Sequence, residues 1–244
     1  MGVFSSKMER EVRLEYMRPS QIDAAKRCRQ AVYVPVGSIE WHGRQNAVGL
    51  DTAKAHEQLI GLALRAGGVV FPPVFFGAGG GHADYPHSYM FPPQPMRELF
   101  AQLLQGFQRD GYAAAILLSG HYPNRHEFLD GAIEGFRAGG GTMRVLAIVE
   151  NQAPGVAGDH AARWETSYMM YLHPATVDMG ELAGRDDDVT GAGQQRNWMG
   201  EEFRDHPCYG LVGEDPRRTA SAAAGREATE RLISFLIGWL DGND

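Results

Sequence analysis

Apolar positions fall into two patterns along the chain. Four short runs are apolar at nearly every position: AVYVPVG (31–37), VVFPPVFF (69–76), YAAAILLSG (112–120) and TMRVLAIVE (142–150). Runs of this length with no polar alternation predict strands buried on both faces. Between them lie stretches with helical spacing. Residues 20–30 form a short one with Ser20 as N-cap, and TAKAHEQLIGLALRAGG (52–68) starts at Thr52 as cap and stops at glycine. MRELFAQLLQGFQRDG (96–111) and RHEFLDGAIEGFRAGGG (125–141) follow, then HAARWETSYMMYL (160–172) and a long amphipathic helix over about 217–240. Strands alternating with helices predict an α/β fold: three layers, α/β/α, around a mostly parallel central sheet. The chain reads as a single domain over 1–244. Its polar, Gly-rich segment 181–204 is expected to be an exposed excursion.

Ligands in such folds bind beyond the carboxyl ends of the strands. The loops after residues 36, 76, 119 and 150 therefore share one edge. They and the next loop carry Glu40, His42 and Asp51; His82 and His87; His121; His160 and Glu165. In an extended segment Glu40 and His42 point the same way. Asp51 returns at the start of the next helix, and its two oxygens can bridge two cations. A His/carboxylate set without thiolate suits Zn, Mn or Fe(II). Two ions sharing a carboxylate would hold a hydroxide and polarise a carbonyl, which points to hydrolysis of a C–N or ester bond. Taken singly, each of these residues reads as an ordinary loop residue, and Asp51 as a helix cap. His56, Glu57, His126 and Glu127 read as plain helix residues, and His206 has no assigned role. Trp41, Tyr85, Phe91, Tyr122 and Trp164 either wall a pocket or pack the loops. The Gly-rich run 77–81 is able to cradle an anion, but lacks the strand-to-helix context of a dinucleotide site.

Composition narrows the function class. Of 244 residues 43% are hydrophobic and 22% charged, a globular balance, and the net charge of −7 argues against a nucleic-acid partner. No apolar run is long enough to span a bilayer. The N-terminus lacks a secretory h-region; Gly2 and Ser6 make a myristoylation-like start without a polybasic second signal. Cys28 and Cys208 lie far apart, without metal spacing, and fit a reduced, cytoplasmic setting. The acids Asp186, Asp187 and Asp188 lack EF-hand spacing and read as a solvated loop.

VPVGSIEWHGRQNAVGLD (34–51) resembles the creatininase (creatinine amidohydrolase) pattern P-x-G-S-x-E-x-H-G followed by Asp nine residues after the His. SGHYPN (119–124) resembles that family's N-G-H-G-G-N, and DHAARWETS (159–167) its H-A-G-x-x-E-T-S. FFGAGGGHADYP (75–86) and GEDPRRTASAAAGRE (213–227) resemble two further segments, in order. The resemblance implies the three-layer fold, a binuclear metal site, amidohydrolase chemistry and a homo-oligomer, commonly a hexamer. Carried over, Glu40 and His121 hold one metal, His42 the other, and Asp51 bridges them. Glu165 completes the ligand set of the second metal, as in members with the G-H-G-G-N loop. His160, as acid/base or carbonyl-orienting group, and Glu165 are the catalytic candidates. His82, Gly79, Tyr122 and Trp164 are the substrate-binding candidates. The departures are Pro123, where creatininase has a metal-site glutamate, and Gly79, Gly81, Ser119, Ala162 and Leu50. The ligand positions persist while substrate-facing positions change. The expected reaction is therefore hydrolysis of a small amide, lactam or formamide other than creatinine, through a metal-bound hydroxide. The alternatives are a catalytically altered metal-binding homologue with a structural or oligomeric role, and a peptide-trimming peptidase of cofactor maturation.

Overall fold

A computed structural model describes residues 10–184 and 186–242, so the Gly2 and Ser6 reading lies outside the described residues. Helix α1 (Pro19–Cys28) leads into strand β1 (Ala31–Val36), α2 (Leu50–Ala66) and β2 (Val69–Val70). Then come α3 (Pro93–Arg109), β3 (Ala114–Ser119), α4 (Asp130–Ala138) and β4 (Arg144–Val149). The remainder comprises α5 (Arg163–Leu172), β5 (Gln195–Asn197), β6 (Val212–Glu214), α6 (Pro216–Thr219) and α7 (Ala222–Asp241). The central sheet has the order β2-β1-β3-β4, and all its pairings are parallel.

Both faces of the sheet are covered, as the unbroken apolar runs require. Tyr33, Ile116, Leu118 and Ile148 pack with Leu59, Ile60 and Leu62 of α2, Tyr168 and Leu172 of α5, and Leu232 and Leu236 of α7. Val32, Val34, Val36, Ala115 and Leu117 face the other way, onto Phe100 and Leu104 of α3 and Ala132 and Phe136 of α4. Period-two alternation divides each strand between two cores. Each fully buried Leu or Ile contributes about 2 kcal/mol by leaving water. The three-layer expectation holds, and no described helix is long and apolar enough to cross a membrane.

Several element boundaries differ from expectation, each for a local reason. The second strand stops at Val70 because Pro72 and Pro73 lack ladder N–H groups; the chain rejoins β1 by one bridge, Val74 to Val36. Thr52 does not cap α2. Gly49 precedes the helix, and the Thr52 hydroxyl donates to Val74 O at 3.2 Å. Ser20 sits inside α1, which opens on Pro19 after Arg18. The fourth predicted helix begins with a π-turn, Arg125–Leu129, before α4. The C-terminal helix is divided, with Ser221 capping α7 by accepting from Ala224 N. Segment 181–204 is largely exposed but is anchored by buried Leu182, Thr190 and Trp198, and β5 pairs antiparallel with β6.

Helices α5 and α7 cross closely at Gly225, where an added Cβ would collide with the Ser167 carbonyl oxygen. Gly225→Ala should therefore lower unfolding stability by about 1–3 kcal/mol through overpacking. Urea unfolding followed by circular dichroism measures it, and an unchanged midpoint would refute the tight crossing.

Candidate metal centre

Parallel register brings the strand ends level. Val36 of β1 pairs with Ser119 of β3, and Ser119 with Val149 of β4. The chemistry begins within a few residues of that line: Ser38 and Glu40 after β1, His121 after β3, Glu150 after β4. β1 and β3 are sheet neighbours whose connections leave in opposite directions, the crevice where such folds place ligands. Asn124 clips the edge together. Its amide donates to Gly37 O at 3.0 Å and to Ser119 Oγ at 3.1 Å, and its Oδ1 accepts from Ala78 N at 2.9 Å. A Cβ at Gly120 would collide with the Asp51 carbonyl oxygen, so this glycine lets β3 close on the first turn of α2.

Glu40, Asp51 and Glu165 are buried to within 2% of full exclusion. Asp51 divides its oxygens. Oδ1 lies 3.1 Å from His42 Nε2, and Oδ2 lies 3.3 Å from His121 Nδ1. His121 Nδ1 also meets Glu40 Oε2 at 2.7 Å. The Ser38 hydroxyl stands 2.7 Å from Asp51 Oδ2 and 3.2 Å from Glu40 Oε2, its one proton serving either acid. His42 Nδ1–H donates to Glu40 O at 3.0 Å, so Nε2, which faces Asp51 and Glu165 Oε2 3.6 Å away, is the nitrogen that loses its proton when the ring becomes neutral. Glu165 Oε2 accepts from Ala161 N at 2.7 Å. Ala161 holds φ at 53°, a strained conformation for a residue with a Cβ, and so turns its N–H onto Glu165.

Without an ion the acids draw protons. Burial opposes charge on His42, but Asp51 outweighs it and raises His42 to about 9. Burial likewise opposes charge on His121, and hydrogen bonds to Asp51 and Glu40 raise it to about 10. Burial pushes Asp51 upward, and the adjacent His42 with its other partners holds it well below the carboxylate range. His160 is driven the other way by burial and then by the charge on His42, so it stays neutral. Three overlapping donor groups each converge within 4.8 Å: Glu40, Asp51 and His121; His42, His160 and Glu165; Glu40, His82 and His160. Hard carboxylate oxygens mixed with imidazole nitrogens fit a divalent transition ion.

The expected residues do not all meet. A cavity of about 370 Å³ is lined by Glu40, Asp51, His82, His121, Tyr122, His160 and Glu165, with Gly80, Gly81, Pro123, Asn151 and Asp159. Gly79 is not in that lining and packs against Glu127, although its neighbours line the cavity. Trp164 lines a separate hollow, with the Arg163 guanidinium 4.5 Å above its ring. His87 is exposed, and Phe91 packs on Phe76. Trp41 donates to Tyr209 O, while Tyr85 stacks on Tyr209. His82 Nε2 donates to Gly210 O at 2.7 Å and its ring stacks on His160 at 3.7 Å. Sequence reasoning missed Ser38, Lys54, Asn124, Glu150 and Asp159. Lys54 alone carried a usable signal, since it follows Asp51 by one helical turn in an apolar stretch.

The fold and donor set define an α/β protein with a metal-competent centre at the sheet's carboxyl edge. The chain belongs to the creatininase family: the family model, described as creatinine amidohydrolase, matches residues 15–240. A creatinine amidohydrolase of Pseudomonas putida is 25% identical over 236 residues, covering 84% of each chain. A crystal structure of creatininase superposes with a TM-score of 0.76 at 19% identity, covering 96% of this chain and 98% of that one. A structure from Bacteroides fragilis described as a creatinine amidohydrolase gives 0.71 at 20% identity, covering 96% of both. Two further creatininase structures, at 19% identity, TM-score 0.76 and coverage of 96% and 99%, are titled as Mn and Zn–Zn forms.

Ligand histidines must be neutral, whereas His42 and His121 are raised to about 9 and 10 and hold their protons at pH 7. Loading metal at pH 7 should therefore release about two protons per chain, and affinity should fall as pH drops. Calorimetry in buffers of different ionisation enthalpy measures this. Proton-neutral binding would contradict the assignment of these two imidazoles.

Proposed function

We propose that this protein is a metal-dependent amidohydrolase acting on a C–N bond outside peptides, with a pair of divalent ions at the sheet edge. Glu40 and His121 would hold one ion, His42 and Glu165 the other, and Asp51 would contact both. The observation that carries the reading is the division of Asp51, one oxygen beside His42 and the other beside His121. Ions bound there supply Lewis acidity toward a carbonyl and activate water. Zn, Mn or Fe suits the donors, and two relatives are described as Mn and Zn–Zn forms.

The chain's own residues supply the rest. His160 Nε2 lies 2.9 Å from Trp41 O, which only accepts, so that nitrogen carries the proton. Nδ1 then keeps its lone pair and can take a proton from the attacking water and return it to the leaving nitrogen. Glu165 acts by holding an ion. His82 and Tyr122 face the substrate; Gly79 and Trp164 have no place in this lining. Pro123, Asn151 and Asp159 shape the wall of a cavity of about 370 Å³, a size that suits a small amide, lactam or formamide, and the departures at Pro123 and Gly81 support a substrate other than creatinine. The reading includes a cytoplasmic setting, supported by free Cys28 and Cys208. It includes a homo-oligomer, supported by exposed Phe76, Tyr89 and Phe91.

Pro123 also favours a second reading. It lines the cavity without offering a ligand, as expected of a metal-binding homologue that has lost turnover. Full metal occupancy with no hydrolysis across a broad amide library would favour it.

Elemental analysis of replete protein should find about two transition ions per chain, and chelation should abolish hydrolysis. His42→Ala and Asp51→Ala should lose metal and activity together; activity in metal-free protein would refute the proposal. His160→Gln should keep its metal while kcat falls by about 10²–10⁴. Metal loss in that variant would instead make His160 a ligand.

A further inference from the structure

Helix α2 buries a lysine that the donor set does not require. Lys54 is wholly excluded from solvent, one turn beyond Asp51. A buried ammonium is stable only when its charge is matched. Its Nζ lies 2.5 Å from Glu165 Oε1, 3.6 Å from Glu150 Oε1 and 3.8 Å from Asp51 Oδ1. The rings of Tyr122 and Tyr168 flank it at 5.2 and 5.9 Å. Glu150 is fully buried with no hydrogen-bond partner for its side-chain oxygens, and burial raises its carboxyl to about 8 in spite of the lysine, so the closest carboxylate partner of the ammonium is Glu165.

The Glu165 carboxylate is thereby gripped at both ends. Oε1 takes the ammonium, and Oε2 takes the Ala161 N–H at 2.7 Å while facing His42 Nε2 at 3.6 Å. An oxygen bonded to one N–H keeps a second lone pair. Turning the carboxylate would carry Oε2 away from His42, and the Lys54 contact opposes that turn. Removing a partner that orients a metal-binding carboxylate typically costs about 10- to 100-fold in metal affinity.

We propose that Lys54 is a positioning residue for the His42–Glu165 half of the centre: it pins Glu165 Oε1 so that Oε2 is presented beside His42. The proposal rests on the paired-ion reading above, because it needs an ion at His42 and Glu165. It gives a fully buried lysine a role that packing alone does not explain.

Zn²⁺ titration against a chromophoric chelator tests it, with Co²⁺ absorption as a second readout. The parent protein should bind two ions in resolvable steps. In Lys54→Met the weaker step should lose about 10- to 100-fold in affinity, with the stronger step almost unchanged. Lys54→Gln keeps a donor for Glu165 and should recover part of the loss, along with the Co²⁺ spectrum of the second step. If Lys54→Met does not fold by circular dichroism, Lys54→Gln decides alone, and parent-like affinity or a lost first step would overturn the proposal. Unchanged binding in both variants would overturn it and leave the paired-ion reading intact. Tighter second-step binding in Lys54→Met would also overturn it, since the ammonium would then be competing with the ion. A parent protein that binds a single ion would sink both ideas at once.

Discussion

Negative charge buried at one end of a parallel sheet is the constraint to which the rest of this molecule answers. Glu40, Asp51 and Glu165 are all nearly excluded from water, and an isolated ion in such surroundings is very costly. Positive charge has to come from somewhere. Without metal it comes from protons on His42 and His121 and from Lys54. A divalent ion would displace those protons and satisfy several oxygens at once. A centre that must take up protons when empty is set up to exchange them for metal.

Holding like charges together requires a rigid frame. Here the frame is the strand register, which sets β1, β3 and β4 level, and a few buried polar contacts between their loops. Asn124 joins the loops after β1, β2 and β3. Ser38 shares one proton between two acids. Ala161 accepts a strained backbone to aim its N–H at Glu165. None of these groups carries the chemistry. Together they keep the carboxylates from spreading apart, which is the motion that repulsion favours.

The same frame allows the cavity wall to vary. The donor residues Glu40, His42, Asp51 and His121 follow strand ends or open α2, and Glu165 opens α5, where a shift would disturb the sheet or its packing. The wall residues Tyr122, Pro123, Asn151 and Asp159 lie on loops that tolerate exchange. This matches a chain that keeps the creatininase fold with a TM-score of 0.76 at only 19% identity. Pro123 marks the contrast: where it stands, a ligand carboxylate cannot, and Glu165 with its lysine partner lies across the same centre.

Local chemistry made much of this legible in the sequence. Unbroken apolar runs mean strands covered on both faces, so the three-layer α/β/α fold was readable from runs such as 31–37 and 112–120 together with the helical stretches that alternate with them. The spacing of Glu40, His42 and Asp51, with His121 at a strand tip, named groups that the folded chain does bring within reach of one another. Tertiary contact decided the rest. Thr52 looked like a cap but bonds to Val74, and Trp164 looked like a pocket wall but stacks under Arg163. Lys54 drew no reading from the sequence, yet it is buried, with Glu165 and Glu150 arriving beside it from segments about a hundred residues away. Periodicity and spacing are properties of neighbours along the chain, so sequence determines them. The partners of a buried charge are set only when distant segments close around it.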